Sequence, residues 1–122
     1  MMPALKHIIT RLLRVFLCLL FACTGCSTAQ LHTTSNALLV ADWAQTRYIA
    51  AHPQQYVERN PLLGAHPGMS AVNRHFISAL ALNNAVFYLL PENKRRAWSI
   101  IVTGIEGVCV ANNAAIGIRF NF

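Results

Sequence analysis

Two consecutive runs decide the fold: SAVNRHFISALALNNAVFYLL over residues 70–90 and, just beyond Pro91, NKRRAWSIIVTGIEGVCVANNAAI over residues 93–116. Both are far longer than an ordinary strand and lack an internal proline, and both are rich in helix-compatible residues, so each reads as a helix. Ser70 offers the first an N-cap. Pro91 stops it, because the residue before a proline is pushed out of helical space and proline has no N–H to donate. Upstream, residues 36–51 are rich in alanine and leucine with no glycine or proline, a third helix with Ser35 or Asn36 as its N-cap. Between it and the second helix, Pro53, Pro61 and Pro67 alternate with Gly64 and Gly68 and make residues 52–68 a loop, with room for one helical turn at residues 54–59. After residue 116 the chain alternates apolar with small or polar side chains, the period of a short extended tail. One such segment does not make a barrel, which needs at least eight strands. The expectation is therefore an all-α chain: a three-helix bundle or hairpin closed by a short extended C-terminal tail.

Length and composition agree with a small domain near lipid. The chain has 122 residues, 55% hydrophobic and only 11% charged, against roughly 45–50% and about 25% in an average soluble domain. Mean hydropathy is +0.41. Disorder and multi-domain architecture are excluded.

The head of the chain reads as a targeting segment over residues 1–25, an N-terminal signal helix. Lys6, Arg11 and Arg14 precede an apolar run from Val15 to Ala22, and small residues follow at Thr24 and Gly25 before Cys26, the order of a secretory signal. The clean apolar core is shorter than the roughly 20 residues a membrane-spanning helix needs. The stretch LFACTGCS over residues 20–27 resembles the lipobox of bacterial lipoproteins. The resemblance implies that Cys26 is acylated, with palmitate-type chains, and becomes the mature N-terminus. Cys23 stands where the family pattern has leucine; an alternative frame ends on Cys23 itself, and an uncleaved signal anchor or an ordinary signal with incidental cysteines are the other readings. Residues 26–35 would then be a polar tether and residues 36–122 a single small helical domain. Removal of Lys6, Arg11 and Arg14 lowers the formal charge from +6 to +3. The cluster Lys94, Arg95 and Arg96 is then the one dense basic group, too little for a nucleic-acid face. Cys109 is left as the last thiol, read as a small buried hydrophobe.

Residues 75–91 carry no formal charge and residues 97–118 only Glu106 and, near the end, no other acid, and both lengths fall in the spanning range of roughly 17–25. A hairpin of two transmembrane helices with Lys94, Arg95 and Arg96 on the inner side satisfies the positive-inside rule, with Trp98 as an interfacial anchor. A helical domain lying on the membrane through its lipid is the alternative.

The polar residues fall into lines. Asn73, Ile77, Leu80 and Asn84 share one line of the second helix, and Val102, Glu106, Cys109 and Asn113 one line of the third. Asp42 and Thr46 share a face of the first. Should these faces converge, Asp42, Thr46, Glu58, Asn60, Asn84, Glu106 and Asn113 form a semi-buried polar core. It serves either as interhelical hydrogen bonding or as a site for a proton or small ion. The segments DWAQT (residues 42–46) and ERNPLLG (residues 58–64) resemble a pattern of uncharacterised small bacterial membrane proteins, Asp-x-x-x-Thr followed by Glu-x-Asn-Pro. That resemblance implies membrane association and groups Asp42, Thr46, Glu58, Asn60 and Pro61 as one unit. Gly107 and Ala111 form a small-xxx-small pair that lets another helix approach closely.

Catalytic signals are missing. No two of His52, His66 and His75 stand at metal-ligand helical spacing, and no His-Glu-x-x-His, Gly-x-Ser-x-Gly, P-loop or dinucleotide fingerprint occurs. No metal and no cofactor are expected. The sequence reads as a small membrane-anchored lipoprotein of the bacterial cell envelope, structural or partner-binding and not an enzyme. The alternative is an integral helical membrane protein whose polar core (Asp42, Glu58, Glu106) moves or senses a proton or small ion. Its expected partners are membrane lipid and an envelope protein or a second copy, not nucleic acid. Ser27 after Cys26 resembles lipoproteins sorted to the outer membrane, whereas a spanning hairpin belongs in the inner one, so the membrane stays open.

Overall fold

A computed structural model describes residues 25–120 together with Thr10, Leu13, Arg14, Leu17 and Cys18. The leader expected over residues 1–25, Cys23 included, lies almost wholly outside the described residues. Those described form an all-α structure of three helices, α1 (Thr28–Ala51), α2 (Met69–Leu89) and α3 (Glu92–Ala115). Among the described residues none is in a strand.

The later two helices begin and end within a residue of the expected limits, but α1 starts at Thr28 instead of Asn36. The reason is a capping box. The Ser27 hydroxyl accepts from the Gln30 N–H at 3.2 Å, and the Gln30 side-chain oxygen accepts from the Ser27 N–H at 2.8 Å, which satisfies two donors at the helix start. Residues 28–35, read from their polarity as a tether, are thus the first turns of α1. They are polar because Thr33 and Thr34 face water while His32 and Ser35 are buried against the neighbouring helices. At α2 the cap is Gly68, with no side-chain bond, and Ser70 lies exposed within the first turn. Leu90 takes the extended conformation that Pro91 imposes, with φ −69° and ψ 144°. Arg95 then donates to the Leu90 and Tyr88 carbonyls at 3.0 and 3.2 Å, satisfying the end of α2.

The tail does not extend as expected. Gly117 takes φ +86°, its N–H bonds the Ala114 carbonyl at 3.1 Å, and the Ile118 N–H bonds the Asn113 carbonyl at 3.0 Å. This is a Schellman termination, which needs the left-handed residue that glycine supplies without strain. It turns Ile118 back against the bundle, where it is buried.

Helix α1 lies against both of the others, while α2 and α3 touch each other little. Flanked on two sides, α1 has no single apolar stripe; Leu31, Leu39, Ala44 and Ile49 are buried alongside Ser35, Gln45 and Thr46. The buried face of α2 is Val72, Phe76, Asn83 and Phe87, one step round the helix from the expected line, which leaves Ile77 exposed. The aromatic rings bury more area there than Ile77 and Leu80 would on the adjacent line. Leu39, Val72 and Phe76 form the apolar centre, with Trp43, Leu80 and Val102 against it. On α3 the buried positions are Ser99, Thr103 and Gly107, small residues at four-residue spacing where α3 meets α1. The Thr103 hydroxyl reaches the Leu31 carbonyl at 3.4 Å. Close approach through small residues is therefore used inside the chain, by α1. Among the described residues no helix is long and apolar enough to cross a membrane.

At the Cys26 end the three helices share a polar network. Asn83 donates to Ser35 Oγ and to Asn36 Oδ1, both at 3.0 Å, and accepts from Trp98 Nε1 at 2.8 Å. Asn84 donates to Asn36 Oδ1 at 3.2 Å and accepts from Asn36 Nδ2 at 3.2 Å and from His32 Nε2 at 3.0 Å. His32 stacks on Phe87 with centroids 3.7 Å apart. Trp98, expected as an interfacial anchor, is half-buried and bonded into this network instead. Farther along, Asn73 Oδ1 accepts from Trp43 Nε1 at 2.9 Å and from Arg47 at 2.8 Å.

Asn83→Ala leaves Ser35, Asn36 and Trp98 each short of a partner. It lowers stability by about 2 kcal/mol and the melting temperature by about 10 °C, read by thermal unfolding. The exposed Ser70→Ala stays within about 0.5 kcal/mol of wild type. Equal melting points for the two variants would mean that the network contributes nothing net to the packing.

Candidate functional site: an acidic cavity

The outer part of the bundle encloses a cavity of about 380 Å³ between α1, α3, the 52–68 loop and the folded-back tail. Asp42 enters from α1, Glu58 and Asn60 from the loop, His75 from α2, and Glu106 and Asn113 from α3, with Ile118 at the tail. The convergence expected of Asp42, Glu58 and Glu106 is therefore present in the structure.

Helical register positions Asp42 and Glu106, each two-thirds of the way along its helix. Asp42 Oδ1 accepts from Asn113 Nδ2 at 3.1 Å. Glu58 is set by local turn chemistry. Its Oε1 accepts from the N–H groups of Arg59 and Asn60 at 2.9 and 2.8 Å, and Asn60 Oδ1 accepts from the Leu62 N–H at 3.0 Å. The Glu58 N–H closes the loop on the Ala65 carbonyl, and Gly64 supplies the required φ of +77°. The Glu-x-Asn-Pro segment is thus a self-bonded turn, which Asn60 pins to α2 by donating its Nδ2 to His75 Nε2 at 3.2 Å. That bond ties the loop to the first turns of α2.

Two carboxyl oxygens, Glu58 Oε2 and Glu106 Oε2, are buried without a hydrogen-bond partner. Burial, with the Glu58 charge in addition, raises the Asp42 pKa from 3.8 to about 6. Burial, with the Asp42 charge in addition, raises Glu106 from 4.5 to about 7. Desolvation disfavours the ionised form, and neighbouring carboxylates act in the same direction. The site therefore exchanges protons in the neutral range. Cys109, expected as a buried hydrophobe, stands exposed at the cavity rim. Burial of its sulfur surroundings and the three carboxylates push its thiol up to about 11, so it is protonated near neutrality and a poor nucleophile.

Not all the expected core residues meet here. Thr46 is buried in the α1 interface outside the cavity lining. Asn84 belongs to the network at the opposite end of the bundle. His75, weighed in the sequence only as a metal ligand, and Asn112, outside the expected polar core, both line the cavity. His75 was detectable only as the neighbour of Phe76 once the buried face of α2 is known. Among the described residues no three His, Cys, Asp or Glu side chains come close enough together to hold a metal ion. Comparison with family models, with curated proteins and with solved structures gives no match to this chain.

Because the folded-state pKa values of both acids are raised, the folded state binds more protons than the unfolded one. The stability this contributes is full below about pH 4 and is lost as pH rises through about 6 for Asp42 and about 7 for Glu106. Denaturant unfolding across this range yields a midpoint that falls with pH. Glu106→Gln flattens the slope and stabilises the protein by about 2 kcal/mol at pH 8, a value discounted for partial exposure. A midpoint that rises over the same range in the wild type would contradict the assignment.

Proposed function

We propose that this chain is a small, non-catalytic lipoprotein of the bacterial cell envelope, acylated on Cys26, that holds a helical domain at the membrane surface as a structural or partner-binding element. The observation that carries this reading is the join between Cys26 and the domain. The Arg96 guanidinium of α3 donates to the Cys26 carbonyl at 2.6 Å, and the capping box begins at the very next residue. A lipid on Cys26 thus holds the bundle with no slack, a geometry suited to presenting a surface at a fixed height above the membrane. Ile101 and Ile105, one turn apart on α3, are 55% and 57% exposed and supply apolar surface to a partner protein.

The convergence of Asp42, Glu58 and Glu106 on one cavity favours a second reading, in which the domain senses protons. Glu106→Gln that removes a pH-dependent envelope phenotype at unchanged protein level supports it; Glu106→Gln that alters only stability leaves these acids as packing elements.

Intact mass of the membrane-extracted protein and an alkaline carbonate wash of the membranes test the lipoprotein reading. A chain beginning at Cys26 and carrying a diacylglycerol adduct is expected, with Cys26→Ala released by the wash. An unmodified Cys26, or a Cys26→Ala protein that resists extraction as wild type does, would overturn it.

A further inference from the structure

We infer that the corner where α2 turns into α3 is a docking surface for an anionic lipid bilayer, which stands the domain upright with the acidic cavity turned away from the membrane. The inference rests on the proposed tether at Cys26, and it adds an orientation and a lipid class to it.

The bond from Arg96 to the Cys26 carbonyl places the tether point at this corner. The surface around that point has the make-up of a membrane interface. Leu89 is 84% exposed and Tyr88 67%, an apolar side chain beside an aromatic one with a polar tip, as favoured at headgroup depth. Lys94, Arg95 and Arg96 follow within the first turns of α3, with Glu92 the nearby acid, so the corner carries a formal charge of +2. Arg95 is held in place by the Leu90 and Tyr88 carbonyls and by the Phe87 ring, 5.5 Å from its guanidinium carbon. Its charge therefore stays fixed at this end.

The far end has its own exposed apolar side chains, Leu62 at 82% with Val57, Ile116 and Phe120, and basic residues at Arg59, Arg74 and Arg119. Two features set it apart. Helix α1 runs 24 residues away from the tether point, about 36 Å at helical rise, so an upright domain keeps Leu62 well clear of the headgroups. Asp42, Glu58 and Glu106 all lie toward that end, and their ionised forms are repelled by anionic lipid. Each Lys or Arg near an anionic surface is worth about fivefold in binding. Acting on a domain already tethered, that is enough to select an orientation.

The test uses the full chain purified from membranes and reconstituted into phosphatidylcholine vesicles with or without phosphatidylglycerol. Acyl chains are brominated to quench a tryptophan introduced by Leu89→Trp or Leu62→Trp, and the unsubstituted protein gives the Trp43 and Trp98 background. Flotation reads the tether independently. The protein is expected to float, with Leu89→Trp quenched at least about twofold more than Leu62→Trp on phosphatidylglycerol vesicles, a contrast that Lys94→Glu reduces. Flotation with equal quenching at both positions overturns the docking surface and leaves the tether standing. Failure to float overturns the tether, and this inference with it. A Leu89→Trp side chain shielded from aqueous iodide in native membranes yet unquenched by lipid assigns the corner to a protein partner and overturns the lipid proposal.

Discussion

A helix flanked on two sides must find partners in its neighbours for every polar side chain it buries, and α1 buries four: His32, Ser35, Gln45 and Thr46. Burying an amide or imidazole without a partner costs more than the hydrogen bond itself returns in water. The Asn36, Asn83 and Asn84 amides meet most of that demand at one end of the bundle, where they join Ser35, His32 and Trp98 into one network. Few arrangements of three helices satisfy this many groups together, and even here His32 Nδ1 and Gln45 Oε1 stay without a partner. The network consequently fixes register, while the apolar centre of Leu39, Val72 and Phe76 is too small to specify it alone.

In the cavity the shortfall of partners falls on ionisable groups. The cavity holds three carboxyl groups against one side-chain donor to Asp42, from Asn113, and the turn amides that engage Glu58. Oxygens of Glu58 and Glu106 stay buried and unpaired. The same physics that stabilises one end thus stores a pH-dependent cost at the other. The molecule is accordingly two-ended, with a tightly bonded base beside Cys26 and an outer cavity whose charge follows pH in the neutral range.

Much of this was legible in the sequence, and the rest was not for identifiable reasons. Pro91 and the long runs around it gave α2 and α3 their limits, because proline acts locally. The convergence of Asp42 and Glu106 followed from helical register. Glu58 came from its turn motif, and the turn is indeed what positions it. The start of α1 was misplaced because the polar composition of residues 28–35 outweighed a signal that was present, Ser27 followed three residues later by Gln30. The tail was read from its alternation, when Gly117 was the informative residue. Asn84 and Thr46 were grouped with the acids because periodicity reports faces of a helix and not which end of the bundle a residue occupies. The bond between Arg96 and Cys26 spans seventy positions of sequence and leaves no local trace.

The account depends on α1 being one continuous, docked helix from the residue after Cys26, since a flexible tether there would uncouple the bundle from its attachment point. Amide hydrogen exchange along α1 in the full chain measures this directly. Protection that begins by Leu31 or His32 and continues without a break to Ile49 is the predicted result. Rapid exchange through residue 35, with protection starting only at Asn36, would contradict it.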